Sequence, residues 1–196
     1  MTKRLFLAIA AAALALTTTA ALSATPVPRI LVIDRTQVLR QSKVGQDVVR
    51  QVNAYTDQAE KQLRGESDSI RREGEALKQQ LAILAPDVKA RKMKDFEARQ
   101  RSLQEEAQKK QNLIQGGFIK ARMTIESTLG PILQGIMVER NANLLLDKQS
   151  VLMGTDPSLD ITQVAVQRLD QKLPSLHVEL VAPPPGLLAQ QQAPHP

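Results

Sequence analysis

The sequence LKQQLAILAPDVKARKMKDF, residues 77–96, joins two long series of regularly spaced apolar residues and decides the fold. Its proline disfavours helical backbone in the preceding residue, so one helix ends near Ala85 and a second begins at Asp87. On both sides of this break, apolar residues recur at the spacings of a coiled-coil stripe. We therefore predict an antiparallel helical hairpin over residues 44–140, with its turn at Ala85-Pro86-Asp87.

The predicted hairpin is long and contains one pair of adjacent glycines. An arm of roughly 40 residues at about 1.5 Å per residue is about 60 Å long, so it has to protrude from a domain of this size. If the turn is centred between Ala85 and Pro86, opposed residue numbers add to about 171, which places Tyr55 opposite Gly116 and Gly117. Each glycine costs roughly 1 kcal/mol relative to alanine in a helix interior. The pair therefore marks either a packing accommodation or a hinge, and both interpretations stay open.

The first 24 residues have the pattern of a secretory signal peptide. Lys3 and Arg4 precede an apolar run over residues 5–16 and a zone of small residues that ends at Ala24. The apolar run has about a dozen residues, fewer than the roughly 20 that a membrane-spanning helix needs, so we predict cleavage rather than anchoring. Loss of Lys3 and Arg4 would lower the formal net charge from +6 to +4, leaving a basic mature chain. We expect export to the periplasm.

Composition argues against a large globular core. The chain has 196 residues, of which only 2% are aromatic, and it contains neither tryptophan nor cysteine. The lack of cysteine removes both a disulfide framework and a lipid-acceptor site after the signal. An elongated architecture fits this composition better than a compact one.

Short apolar runs flank the hairpin and predict a small β-rich body. The run Ile30-Leu31-Val32-Ile33 precedes the arm, while Leu144-Leu145-Leu146 and Val151-Leu152-Met153 follow it, and residues 177–181 could add an edge strand. We assign residues 25–43 and 141–181 to this body. Residues 182–196 are rich in proline and glutamine and have too little apolar content to fold, so we expect a disordered tail.

A sheet of three or so strands of four to five residues is marginal in water and leaves unpaired edges. Copies of the chain can remove those edges by sharing one sheet, so we expect an oligomer. The fold class is α+β, mostly α, with a long antiparallel coiled-coil hairpin that protrudes from a small oligomeric β-body. The predicted oligomer core consists of Ile30, Leu31, Val32, Ile33, Leu144, Leu145, Leu146, Val151 and Leu152.

No motif in the chain predicts an enzyme. There is no phosphate-binding GxxxxGK[ST] loop, no GxSxG nucleophile elbow and no cluster of histidines and carboxylates at metal-ligand spacing. His177 and His195 stand far from any such group in the sequence. We expect no catalytic, cofactor-binding or metal-binding residues.

The order of these parts resembles the Skp/OmpH family of periplasmic chaperones for outer-membrane proteins. The resemblance covers roughly residues 29–173 and departs at the Pro/Gln tail. It is carried by Ile30-Leu31-Val32-Ile33-Asp34, Gln37-Val38-Leu39 and Ser42, by Leu129-Gly130-Pro131-Ile132, and by Asn143-Leu144-Leu145-Leu146-Asp147 with Asp160-Ile161-Thr162. It implies a homotrimer whose arms surround a cavity that holds unfolded outer-membrane proteins without nucleotide.

The resemblance makes an ATP-independent holdase the favoured function, and a structural coiled-coil spacer or membrane-surface organiser is the alternative. The basic residues of the arm are the candidate client-binding groups, with a weak contact to anionic membrane as a further expectation. Those residues are Arg64, Arg71, Arg72, Lys89, Arg91, Lys92 and Lys94. Nucleic acid is not an expected partner, because the few aromatic residues form no stacking platform.

Overall fold

A computed structural model of the protein describes residues 27–154 and 156–185. The predicted signal peptide and the end of the predicted tail lie outside the described residues. The elements follow in the order β1 (Ile30–Ile33), α1 (Arg35–Gln41), α2 (Lys43–Gln80), α3 (Pro86–Glu139), β2 (Leu144–Asp147) and α4 (Thr162–Lys172). Single turns of 3-10 helix occur at Lys148–Ser150 and Pro157–Leu159. The predicted fold class, a long helical hairpin on a small strand-containing body, is confirmed.

Helices α2 and α3 form the hairpin in the predicted register. Across the two helices, Lys92 Nζ donates to Gln80 Oε1, Arg99 pairs with Glu73, and Lys110 Nζ donates to Gln62 Oε1, at 2.8, 2.9 and 2.9 Å. The residue numbers of each pair add to 172, one more than the sequence predicts. Ala85 is extended (ψ 148°) and Pro86 occupies the first turn of α3, as expected. Helix α2 ends earlier than predicted, at Gln80, and residues 81–84 form the turn.

The start of α2 is fixed by a buried cap. The Ser42 side chain accepts a hydrogen bond from the Gly45 N–H at 3.2 Å, and Ser42 is fully buried. A Cβ at Gly45 would lie 1.7 Å from the Leu39 carbonyl oxygen, so only glycine allows α1 to pack this closely. These contacts set the angle at which the arm leaves the body.

Strands β1 and β2 form a two-stranded parallel sheet. Ile30 pairs with Leu144 and Ile33 with Asp147, so the whole arm is the crossover connection that a parallel pair requires. The Ile161 N–H donates to the Val32 carbonyl oxygen at 2.9 Å, which extends the pairing beyond β1. Behind the sheet, buried side chains from β1, α1, α3 and α4 and from the base of α2 form one core.

Two of the predicted strands are absent from the described residues. Val151-Leu152-Met153 is irregular, with Leu152 and Met153 exposed, because the 3-10 turn at Lys148–Ser150 carries the chain away from the sheet. Residues 177–181 are extended but pair with no strand, since they pack against the arm instead. In the single chain β2 is at most half-buried, and its first residue, Leu144, is exposed. No helix within the described residues has the length and apolar content to span a bilayer.

Candidate functional site

The basic residues predicted to bind a client near the tip of the arm are all exposed. Lys89, Arg91, Lys92 and Lys94 lie in the first turns of α3. Arg91 is 3.8 Å from Asp87, and Lys92 donates to Gln80 across the hairpin. Lys89 and Lys94 take part in no ion pair within the described residues. The tip therefore presents four cations to solvent, and among the described residues only Arg91 of these four lies within 4 Å of a carboxylate oxygen.

The other three predicted residues lie midway along α2 and are also exposed. Arg71 lies between Asp68 and Glu75 at 3.6 and 3.8 Å, and all three side chains are mostly exposed, so these pairs contribute little to stability. Arg64 and Arg72 form no ion pair in the part of the chain that the structure describes. The structure does not gather the seven residues into one cluster, because they spread along about half the arm.

Two open apolar grooves run between α2 and α3. One, of about 530 Å³, lies near the tip and is lined by Leu77, Leu81, Met93 and Phe96. Phe96 lies over Gly74, where a Cβ would be 2.9 Å from the ring, so that glycine lets the ring sit against the backbone of α2. The other, of about 550 Å³, lies lower on the arm. Its apolar lining is Val52, Ala59, Leu63, Ala107, Ile114 and Phe118.

A segment that sequence reasoning placed in the sheet instead lies on the base of the arm. We call residues 174–183 the strap, which contains the candidate edge strand 177–181 and the first two residues of the predicted tail. Gln51 binds its backbone twice, because Gln51 Oε1 accepts from the Val178 N–H at 3.0 Å and Gln51 Nε2 donates to the Leu176 carbonyl at 2.7 Å. Tyr55 Oη donates to the Val178 carbonyl at 3.3 Å. The Val178 side chain is only 1% exposed.

The glycine pair forms the floor under the strap. A Cβ at Gly116 would lie 2.0 Å from the Val181 carbonyl oxygen, and a Cβ at Gly117 would lie 2.5 Å from that of Glu179. Both distances are far below van der Waals contact, so the strap requires glycine at both positions. Of the two interpretations of the pair, packing accommodation has direct support in these contacts. The hinge at Gly116 and Gly117 stays a prediction.

An ion pair borders the strap on the solvent side. Lys120 Nζ lies 2.6 Å from Glu179 Oε2, and both side chains are more than half exposed. The hydrogen bond from Lys120, followed by its charge, lowers the pKa of Glu179. Sequence reasoning missed Gln51, Lys120 and Glu179. The sequence features that could have indicated this packing are the alternating apolar residues Leu176, Val178 and Leu180 and the two adjacent glycines in α3.

The predicted oligomer-core residues divide into two groups. Leu31 and Ile33 are buried within the single chain, and Ile30, Val32, Leu145, Leu146 and Val151 are half-buried. Leu144 and Leu152 are exposed, together with Met153 and Val138 on the same body. Within the described residues β2 pairs only with β1, so its outer edge is open.

Charged groups fix the end of this sheet. Arg35 Nε donates to Asp147 Oδ2 at 2.7 Å, and that hydrogen bond is the main reason why the pKa of Asp147 is lowered. Burial raises the pKa of Asp160, but hydrogen bonds from Lys148 and Thr162 outweigh it, so the pKa is lowered overall. The described residues contain no group of three histidines or carboxylates that could hold a metal ion.

Comparisons with known proteins agree with this geometry. The family model described as outer membrane protein (OmpH-like) matches residues 29–169. No curated protein matches the sequence. Among solved structures, a crystal structure from Caulobacter crescentus CB15, described as a candidate OmpH-like outer membrane chaperone, has a TM-score of 0.73 at 23% identity. The match covers 79% of this chain and 90% of that one. With its family match over most of its length and its long hairpin on a small β-body, the chain belongs to the OmpH-like outer membrane protein family.

Proposed function

We propose that the protein is an ATP-independent periplasmic holdase that keeps unfolded outer-membrane proteins from aggregating. The observation that carries the proposal is the surface of the arm, where two open apolar grooves lie among exposed cations. Family membership supports a chaperone, and the candidate signal peptide supports export. Such a surface can hold an unfolded chain by many weak contacts, each of which is individually easy to release.

The groove near the tip shows how apolar and charged contacts combine. Met93 and Phe96 supply adaptable and aromatic apolar surface, and Lys92 and Lys94 lie on the same turns of α3. An unfolded barrel strand has alternating apolar and polar residues, so it can use both kinds of contact at once. The separation of bound clients from one another is the proposed activity, since their strand edges then cannot pair.

A trimer that shares one sheet is the proposed assembly. The open edge of β2 and the exposed side chains of Leu144, Leu152 and Met153 support it, because a second chain could cover them. The arms of three copies would then leave a common base and surround the client. Sedimentation equilibrium tests the assembly, and a dilute, folded monomer would contradict it.

The test of function is the suppression of aggregation. An outer-membrane barrel protein is diluted out of urea with the mature protein at stoichiometric ratio, and light scattering is recorded. We expect scattering to fall, and the charge-neutral variant K89Q/R91Q/K92Q/K94Q to need several-fold more protein. The matched control R40Q/K43Q/R140Q/K172Q removes four exposed cations from the body and the base of the arm. It should behave as wild type.

Salt separates the charged contribution from the apolar one. The affinity for the unfolded client should weaken as ionic strength rises but should not vanish, because salt screens exposed charges and leaves apolar contacts in place. If the affinity did not change up to about 1 M salt, the cations would not contribute to client binding. A wild-type protein that suppresses no aggregation would favour the alternative, a structural coiled-coil spacer.

A further inference from the structure

The strap is held mainly through its backbone. Gln51 contacts the Val178 N–H and the Leu176 carbonyl, and Tyr55 contacts the Val178 carbonyl. The side-chain amide of Gln51 thus presents one acceptor and one donor to an extended chain, as a neighbouring β-strand would. Asp47 Oδ2 accepts a second hydrogen bond from Gln51 Nε2 at 2.9 Å, which fixes the orientation of the amide.

The side chains of the strap add a short apolar pattern. Val178 is buried in the core at the base of the arm, and Leu176 packs against the same core. The next apolar residue of the alternation, Leu180, is 44% exposed. One buried side chain with backbone hydrogen bonds on either side is the arrangement by which proteins bind extended peptides.

The floor of this groove is shaped for a backbone. Gly116 and Gly117 leave no side chain between α3 and the strap, and the carbonyl oxygens of Val181 and Glu179 occupy the space where Cβ atoms would lie. Adjacent glycines inside a 54-residue helix weaken the helix itself. Their presence is explained by the chain that lies on them.

We propose that this groove is a binding site for an extended polypeptide segment, and that the strap is its resident occupant. The ligand class is an extended segment with apolar residues at alternate positions, a branched one at the position of Val178, and a carboxylate next to it that faces Lys120. The strap opens reversibly, and the same segment of a second copy of this chain can then take its place. This inference goes beyond the holdase activity and is tested without a client.

The experiment uses the full mature chain and a labelled synthetic peptide, PSLHVELVAPPP, which reproduces residues 174–185. The variant V178D expels the strap, because an unpaired carboxylate is not tolerated at a buried position, and leaves the groove intact. In wild type the peptide can bind only the fraction of molecules whose strap is open, and its apparent affinity is lowered in proportion to that fraction. Because V178D leaves the groove open, it should bind the peptide at least about tenfold more tightly than wild type. Fluorescence anisotropy measures both affinities.

Two controls assign the binding to the groove. The double variant V178D/G117V should lose the peptide, since a side chain at Gly117 would occupy the space of the backbone at Glu179. A peptide with aspartate in place of the valine should not bind V178D. A V178D protein with the circular dichroism and mass of wild type, but no gain in peptide affinity, would overturn the proposal. So would equal binding by V178D/G117V.

A measurement on wild type covers the case in which V178D does not fold. Amide hydrogen exchange reports how often the Val178 N–H leaves Gln51, relative to the N–H of the buried core residue Ile125. An exchangeable strap should show at least about tenfold weaker protection at Val178 than at Ile125. Equal protection would mean that the strap opens only when the whole protein unfolds, and the proposal would be wrong.

Discussion

Replacing Gly116 by alanine should change stability in opposite directions according to whether the strap is seated. The new Cβ would lie 2.0 Å from the Val181 carbonyl oxygen and 2.6 Å from the Pro183 nitrogen. Overpacking of this kind costs about 1–3 kcal/mol. The same substitution stabilises a helix interior by about 1 kcal/mol, because alanine is the better helix former. With the strap in place the clash should prevail, and G116A should destabilise the protein.

A double-mutant cycle isolates the clash from the helix propensity. In the V178D background the strap is displaced, so G116A should stabilise by about 1 kcal/mol. The propensity term is common to both backgrounds and cancels, which leaves a coupling between the two sites of about 1–3 kcal/mol. The four proteins are unfolded in urea and followed by circular dichroism, at several protein concentrations because assembly contributes to apparent stability.

The outcome that would refute this reasoning is the absence of coupling. If G116A stabilised the native chain by the same amount as the V178D chain, no atoms of the strap would lie over Gly116 in solution. Gly65 is the matched control, because nothing lies within 4 Å of a Cβ at that position. G65A should stabilise by about 1 kcal/mol in both backgrounds.

Two further predictions concern the hydrophobic core and the residues beside the sheet. Ile125 is 1% exposed, so I125A should lower the free energy of unfolding by about 2–5 kcal/mol, whereas I83A at the exposed turn should stay within about 0.5 kcal/mol in the same urea titration. The pKa of Asp160 is lowered in the folded protein, so its contribution is fully present above the ordinary carboxyl pKa, about 4, and is lost as pH falls through the folded value. D160N should therefore flatten part of the acid-induced loss of stability below about pH 4, and an unchanged pH profile would contradict this.

The arm was predictable from sequence because its determinants are local. The apolar spacing gives the helices, Pro86 gives the turn, and the turn fixes the register to within one residue number. The same is true of β1 and β2, whose branched and apolar runs are short and bounded. The coiled-coil pattern leaves little freedom once the turn is placed.

The packing of the C-terminal segment was not predictable in the same way. Residues 177–181 have the composition of a strand, and sequence alone does not say whether an extended chain pairs with a sheet or lies on a helix. The competing partner is a groove formed by Gln51, Tyr55 and the glycine pair, which are separated from Val178 by more than 60 positions in the chain. The strand predicted at Val151-Leu152-Met153 is wrong for a related reason. These residues are apolar, but within one chain Leu152 and Met153 stay exposed.

The candidate client-binding residues show a third situation. The sequence predicts client binding by seven cations of the arm; the structure places all seven in solvent, and their binding of a client stays a prediction. The structure also shows what spacing alone did not reveal, namely that apolar grooves lie between the helices beside them. The size of such grooves depends on the distance between the two helices. That distance depends in turn on the packing of small residues such as Gly74 and Ala59.

Helix α3 has 54 residues and α2 has 38, and this difference has a mechanical consequence. By the register of the cross-helix pairs, residues 86–91 of α3 extend past the end of α2 at the tip, and residues 130–139 extend below its start. In that lower part Ile132 and Ile136 join the core of the body and Glu139 pairs with Arg168 of α4. One continuous rod therefore belongs to both the arm and its base. Any sideways movement of the arm therefore has to bend α3. A force on a client bound near the tip would reach the β1–β2 sheet at the base through this helix.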